Sequence, residues 1–198
     1  IVPAMTFVAS PNVVLHAGGE PVFSDVDRAT ALIDLDMVED ILKRDRRVRA
    51  VMPVHLYGQM TDIRALRALA DRFGVRLLED SAHCVEGVRD GARPGQVGDA
   101  AAFSFYATKN LTCGEGGAVA TNDDRLAERL AVLRLHGMSK SALSRHEHYR
   151  HWDMEEPGYK ANLADLQADL LLPQLDRLES LWERRAAIAR RYEEAFAA

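Results

Sequence analysis

The chain has 198 residues, of which 47% are hydrophobic and 28% are charged, and its formal net charge at pH 7 is -5. This composition suffices for one substantial core and lacks the basic excess typical of nucleic-acid-binding proteins. No apolar run is long enough to cross a bilayer, and Cys84 and Cys113 are too few for a disulfide framework. We therefore expect a cytoplasmic protein without a nucleic-acid or membrane partner.

Short apolar segments alternate with helical patterns along most of the chain. Asp36 is suited to cap a helix over 37–43. Thr61 is suited to cap the next helix, and Gly74 to end it. This alternation predicts a largely parallel sheet covered by helices, with ligands at the carboxyl ends of the strands. In chain order, strands are predicted over 1–7, 21–26, 48–56, 75–78, 100–106 and 118–121, and helices from 10–12, over 37–43, after 61 and after 122–123.

The stretch 98–117, GDAAAFSFYATKNLTCGEGG, is the most distinctive part of the sequence. A strand pattern with alternating Phe103 and Phe105 is followed by Lys109 and then by a glycine-rich loop at 114–117. Because burial disfavours the charged form of an amine, a lysine just past such a strand is suited to act as a nucleophile and form a Schiff base. A surface lysine in a turn is the alternative.

Three other side chains match the chemistry of a Schiff-base lysine. Asp80, at the end of the strand 75–78, can keep a pyridine nitrogen protonated, His83 can donate to a phenolic oxygen, and Ser104 can bind a phosphate oxygen. Taken singly, the three can instead be a capping aspartate, a structural histidine and a strand serine bonded to backbone. Together with Lys109 they predict a pyridoxal phosphate (PLP) site at one crevice.

The last third of the chain is different in pattern. Residues 139–156, with His146, His148 and His151, have no clear period and are predicted to form an exposed loop. Since no second ligand cluster at zinc spacing accompanies these histidines, we predict no metal site. From Leu163 onward the pattern is helical, and Pro173 is expected to divide it into two helices.

Several ordered motifs form a specific set that extends along nearly the whole chain. They are PAMTFVAS at 3–10, PVHLYG at 53–58, EDSAH at 79–83, FSFYATKNL at 103–111, GEGG at 114–117 and PGYKANLAD at 157–165. Together they resemble the DegT/DnrJ/StrS family of PLP-dependent nucleotide-sugar aminotransferases. The resemblance implies an α/β protein of PLP-transferase fold type I, with a mostly parallel sheet between helices.

The resemblance also implies a domain organisation. Residues 1–162 would form part of the large PLP-binding domain, and 163–198 a helical segment leading toward a largely missing small C-terminal domain. The first residues read as a strand without an initiator methionine, and the last ones stop inside a helical pattern. We therefore expect a fragment of a longer protein, in which a Gly-Thr turn that helps to hold the phosphate precedes the first residue.

The resemblance assigns three residues to the reacting part of the cofactor. Lys109 would carry PLP as a Schiff base and later shuttle a proton. Asp80 would pair with the pyridine nitrogen. His83 would contact the phenolic oxygen, at a position where many family members have glutamine.

Three further residues would hold the rest of the cofactor. Phe7 would stack on its ring, although core packing of a strand-end phenylalanine is the alternative. Ser104 would bind the phosphate. Asn162 would reach the phosphate in the neighbouring subunit, which implies at least a homodimer with two sites at a two-fold interface.

The reaction implied by the resemblance is a ping-pong transamination. An amino acid, with L-glutamate expected, gives its amino group to PLP, and a nucleotide-linked keto sugar takes it, in the biosynthesis of amino sugars for polysaccharide, lipopolysaccharide or antibiotics. A PLP-dependent sugar dehydratase and a non-catalytic PLP-binding regulator are the alternatives. Family dehydratases have histidine in place of Lys109. A domain that binds a nucleotide by its own motif is disfavoured, since no G-x-G-x-x-G or P-loop motif opens a helix.

Overall fold

The computed structural model describes residues 1–138 and 153–197. Residues 139–152 of the predicted histidine-rich loop therefore lie outside the described residues, and so does the prediction that its histidines bind no metal. The strands are β1 (Val2–Pro3), β2 (Phe23–Ser24), β3 (Ala50–Val51), β4 (Arg76–Asp80), β5 (Ala100–Ser104) and β6 (Gly117–Ala120). The helices are α1 (Ala9–His16), α2 (Leu35–Arg44), α3 (Ile63–Phe73), α4 (Asp124–Leu133), α5 (Asp165–Asp169), α6 (Leu172–Leu175) and α7 (Leu178–Phe196), with a 3-10 turn at Leu56–Gly58.

The predicted, largely parallel sheet is confirmed. Strands β3, β4 and β5 pair in parallel in that order, and β6 adds an antiparallel edge beside β5. Strands β1 and β2 form a separate parallel pair, and the amino terminus of Ile1 donates to the carbonyl of Ala50 at 2.7 Å. The carboxyl ends of β4 and β5 therefore lie side by side at one edge of the sheet.

Strand β3 is shorter than the predicted run over 48–56. Pro53 has no N–H and cannot donate to a strand ladder, so regular pairing stops before it. Its carbonyl still accepts from the N–H of Asp80 at 2.9 Å, and Val54 forms an isolated parallel bridge with Asp80. The end of β4 is thus hydrogen-bonded to the segment 53–55 as far as Asp80, the residue predicted to pair with the cofactor.

One face of the sheet is covered by α2 and α3. Apolar side chains recur three or four residues apart on each helix, so that they form one stripe on each. These stripes pack on side chains of β3 and β4 and supply most of the main core. The buried residues at this contact are Val38 and Leu42 of α2, Ile63, Leu66 and Ala70 of α3, and Val51 and Leu77 of the sheet.

The helix ends correct two predicted caps. Helix α2 is capped by Asp34, whose carboxylate accepts from two backbone N–H groups of the first turn, and not by Asp36. Helix α3 is capped by Asp62 and not by Thr61, which is buried and donates its hydroxyl toward the carbonyl of Val54 at 3.4 Å. Gly74 ends α3 with a left-handed φ of 67°, as predicted.

The segment after Leu163 is helical, as predicted, but it forms three helices and not two, and Pro173 lies in the first turn of the middle one, α6. Leu171 is buried against Leu111 and Cys113, which follow the site lysine. The Gln174 side chain makes two hydrogen bonds to the backbone of residue 112, at 2.7 and 3.1 Å. None of the helices in the described parts of the chain is long and apolar enough to span a membrane.

Candidate active site

A cleft of about 920 Å³ opens where β4 and β5 end. Its walls include residues 5–7 and 9–10, the turn at 56–57 and part of the loop that follows β5. The predicted meeting of Asp80 and Lys109 in one crevice is confirmed. Five of the six predicted site residues line the cleft, namely Phe7, Asp80, His83, Ser104 and Lys109.

The Asp80 carboxylate is held on both of its oxygens. Its Oδ2 accepts from the hydroxyl of Ser10 at 2.8 Å, and its Oδ1 accepts from the N–H of Ala82 at 3.2 Å. A carboxylate offers about four acceptor positions, so about two stay available to a ligand N–H. Asp80 is therefore arranged to accept one further hydrogen bond without moving.

Ser10 and Thr6 are polar groups of this site that the sequence analysis did not assign. Ser10 is buried in α1, and its hydroxyl lies 2.7 Å from that of Thr6. Both residues line the cleft with Asp80. The sequence did contain a pattern that could have identified them. Thr6 and Ser10 are spaced four residues apart near a helix start, and this spacing places two side chains on the same side of a turn.

His83 stacks on Tyr57, with ring centroids 5.7 Å apart and an interplanar angle of 10°. Burial lowers the pKa of His83 from its ordinary value, the positive charge of Lys109 lowers it further, and the charge of Asp80 opposes both. Its Nδ1 accepts from the backbone N–H of Tyr57 at 3.4 Å. The neutral ring therefore carries its hydrogen on Nε2, where it can be donated to an acceptor oxygen.

The last residue of β5 presents a hydroxyl, and the loop after it presents the lysine. Lys109 is half-buried, and its N–H donates to the carbonyl of Tyr106 at 2.9 Å, which closes a turn directly after the strand. The Oγ of Ser104 accepts from the N–H of Tyr106 at 3.3 Å. The hydroxyl hydrogen of Ser104 is thus free to be donated to an anion. Phe7, which is 71% exposed, lies in the cleft instead of the core.

A buried carboxylate anchors the residue that follows Lys109. The Oε1 of Glu86 accepts from the side-chain amide of Asn110 at 2.7 Å, and the guanidinium of Arg185 in α7 donates to the same oxygen. Glu86 is 9% exposed. This contact joins the lysine loop to a helix far along the chain, and the sequence analysis did not foresee it.

Asn162 is exposed and lies outside the lining of the described cleft. Its segment runs past α4, where the N–H of Ala161 donates to the carbonyl of Arg134 at 2.8 Å. The role that the resemblance gives to Asn162, toward the site of a neighbouring subunit, stays a prediction.

The side chains present fit PLP. An amine is available for its aldehyde, a fixed carboxylate for its pyridine nitrogen, an imidazole N–H for its phenolic oxygen, and a free hydroxyl for its phosphate. An exposed phenylalanine in the same cleft offers a surface for the ring. A mostly parallel sheet with this site at its strand ends is the arrangement of the PLP-binding proteins of fold type I.

Comparison with known sequences agrees with this class. The sequence profile of the DegT/DnrJ/EryC1/StrS aminotransferase family matches residues 1–198. The chain belongs to this family.

Individual relatives are similar along 90% or more of the chain. The spore coat polysaccharide biosynthesis protein SpsC of Bacillus subtilis is 46% identical over 198 residues, which are 99% of this chain and 50% of SpsC. The PMP form of Spr1654 from Streptococcus pneumoniae has a TM-score of 0.89 and 32% identity, covering 100% of this chain and 54% of that one. DesI in the presence of its TDP-sugar product has a TM-score of 0.77 and 35% identity over 90% of this chain and 43% of DesI. The chain thus spans about half the length of the relatives it matches.

Proposed function

We propose that the complete protein is a cytoplasmic PLP-dependent aminotransferase that moves an amino group from an amino acid, L-glutamate in the first instance, to a nucleotide-linked keto sugar. The observation that carries this proposal is the meeting of Lys109, Asp80 and His83 in one cleft at the ends of parallel strands. Family membership and the similarity to a PMP-form protein and to a TDP-sugar complex support it. The name of SpsC supports a role in polysaccharide biosynthesis.

Each side chain has one task in this proposal. The Nζ of Lys109 would hold the cofactor by its aldehyde and would serve as the base that carries the proton away from the donor's α carbon. The carboxylate of Asp80 pairs with the protonated pyridine nitrogen. The Nε2–H of His83 is donated to the phenolic oxygen, and the hydroxyl of Ser104 to a phosphate oxygen.

Bound PLP supplies an electron sink for the negative charge that develops when the α proton leaves. The contribution of the chain is to orient the donor and to keep its proton-transferring group in place. Both halves of a ping-pong transamination use the same Lys109 amine, in opposite directions. The keto sugar must therefore occupy the cleft after the keto acid has left.

The proposed assembly is a homodimer. Asn162 is exposed outside the described cleft of its own chain, so it is available to contact a second copy. A residue that completes the phosphate site of a neighbour makes each subunit depend on the other. Asn162→Ala is expected to raise the Kd for PLP in the complete protein without changing its oligomeric state.

The proposal is tested by the amount of 2-oxoglutarate released when the complete protein with PLP receives L-glutamate. Lys109→Ala is expected to abolish this release. Lys43→Ala is the matched control, because Lys43 lies on α2 and pairs with Glu39 at 2.8 Å. Release that is unchanged in Lys109→Ala would contradict the proposal, and PLP binding without any keto acid from a panel of amino acids would favour the regulator or the dehydratase.

A further inference from the structure

We propose that Ser10 is a positioning residue for this reaction, and that Thr6 supports it from behind. In this inference a chain of hydroxyl groups fixes the carboxylate of Asp80 against the pyridine nitrogen of the cofactor. The inference rests on the proposed function, because it assumes that Asp80 pairs with that nitrogen. Ser10 itself would not touch the reacting atoms.

The directions of the hydrogen bonds follow from the groups involved. The hydroxyl of Ser10 has one hydrogen, and a carboxylate can only accept, so Ser10 donates to Oδ2 of Asp80 at 2.8 Å. The hydroxyl of Thr6, 2.7 Å from that of Ser10, must then donate to Ser10. The result is a chain of two donors that both point toward the charge of Asp80.

The burial of Ser10 has no explanation in the packing of its own helix. Ser10 is the single buried residue of α1, whereas the apolar Val13 and Leu15 of the same helix are 48% and 55% exposed. The N-terminus of α1 has no side-chain capping hydrogen bond, so the serine does not serve as a cap either. The buried hydroxyl is thus used for the contact with Asp80, seventy residues further along the chain.

The contact selects one orientation of the carboxylate. Ser10 holds one oxygen and the N–H of Ala82 holds the other, and the backbone of Asp80 is fixed by its pairing with residues 53–55. Without the hydroxyl of Ser10, which is itself buried, Oδ2 of the half-buried Asp80 loses its side-chain donor. The carboxylate is then free to turn toward other donors, and its alignment with the cofactor nitrogen is lost for part of the time.

The test uses the complete protein with PLP labelled with ¹⁵N in its ring. In Ser10→Ala we expect the ring nitrogen signal to move from the position of a protonated pyridine toward that of a neutral one. We also expect kcat to fall about ten- to a hundredfold, the size typical of a lost hydrogen bond to a charged group. KM for L-glutamate should change less than about threefold, since the donor's own contacts are unaffected.

Three variants separate positioning from folding. Ser10→Thr keeps the hydroxyl and is expected to retain the nitrogen signal. Thr6→Val removes only the outer hydroxyl and is expected to give a smaller change in the same direction. Ser24→Ala is the matched control, because Ser24 is also fully buried and donates to a backbone carbonyl at 3.1 Å, away from the cleft.

The outcomes distinguish this inference from the proposed function. If Ser10→Ala and Thr6→Val show the same nitrogen signal and kcat as Ser24→Ala, the positioning role is wrong while transamination stands. If the wild type binds PLP but releases no keto acid, the proposed function fails, and the nitrogen signal still decides the role of Ser10. If the wild type does not bind PLP, both are wrong.

Discussion

Asp99 stabilises the pair of strands that carries the site. It directly precedes β5, and its carboxylate accepts from Arg67 at 2.8 Å, from Arg76 at 2.8 Å and from the N–H of Leu77 at 2.7 Å. Burial raises the pKa of Asp99, but the hydrogen bond from Leu77 and the two guanidinium groups overcome this effect and lower the pKa to about 2. The carboxylate therefore links β4, β5 and α3.

The size of this contribution follows from the pKa. A carboxyl whose pKa falls from 3.8 to about 2 on folding adds about 2 kcal/mol to the free energy of unfolding at neutral pH. Because the folded pKa lies below the unfolded one, the contribution is complete above the unfolded value and declines as the pH falls through about 2. Asp99→Asn is expected to destabilise by about 2 kcal/mol at pH 7 and by roughly half of that at pH 3.

Urea unfolding at both pH values measures this difference. The matched control is Asp71→Asn, since Asp71 also pairs with Arg67 at 2.8 Å but its side chain is 67% exposed. An exposed pair of this kind contributes little, so the control should unfold almost as the wild type does. The reasoning is refuted if Asp99→Asn is as stable as the wild type at pH 7, or if its deficit is the same at both pH values.

Three further predictions concern His83 of the site, the buried Glu79 beside it and Gly74 at the end of α3. NMR titration of the apoprotein should show a His83 pKa below 6.5. Lys109→Ala should raise this pKa, because the positive charge that lowers it is removed, and an unchanged pKa would contradict that effect of Lys109. Glu79→Ala should lower the free energy of unfolding in urea by about 3 kcal/mol or more, since it removes the acceptor of the Nε2–H of the fully buried His55, 2.8 Å away, and of the N–H groups of Gly95 and Gly98; a loss well below this would show that these hydrogen bonds are dispensable. Gly74→Ala should destabilise by about 1 kcal/mol, because φ is 67° and no atom lies within 4 Å of the added methyl group.

The parts of the site that could be predicted are those that depend on strand ends. Asp80 is the last residue of β4 and Lys109 follows β5 within a short turn, and parallel neighbouring strands end at the same edge. The order of apolar segments and the residue after each were therefore enough to bring these two side chains together. Family motifs then added Phe7, whose exposure in the cleft agrees with a contact to a ligand ring.

The supporting contacts could not be predicted, because their partners are distant in the chain. Ser10 and Asp80 are separated by 70 positions, and Glu86 and Arg185 by 99. Neither pair has a periodicity that a sequence pattern would show. Such contacts depend on how α1 and α7 are placed against the sheet, which only the folded chain determines.

The helix caps were wrong for a local reason. Asp34 and Asp36 are both good capping residues, and so are Thr61 and Asp62. The choice between such neighbours depends on where the backbone leaves the preceding segment. In the structure that segment places Thr61 in the interior, where its N–H donates to His55 at 3.2 Å, so the next residue becomes the cap.

The central claim is that Lys109 holds PLP, and the most direct measurement is reductive trapping. The complete protein with PLP is treated with borohydride, digested, and examined by mass spectrometry for the peptide that carries the reduced cofactor. We expect to find the cofactor on Lys109, and we expect L-glutamate added beforehand to prevent the labelling and to yield 2-oxoglutarate. Labelling of another lysine, such as Lys43 or Lys160, with none on Lys109 would contradict it.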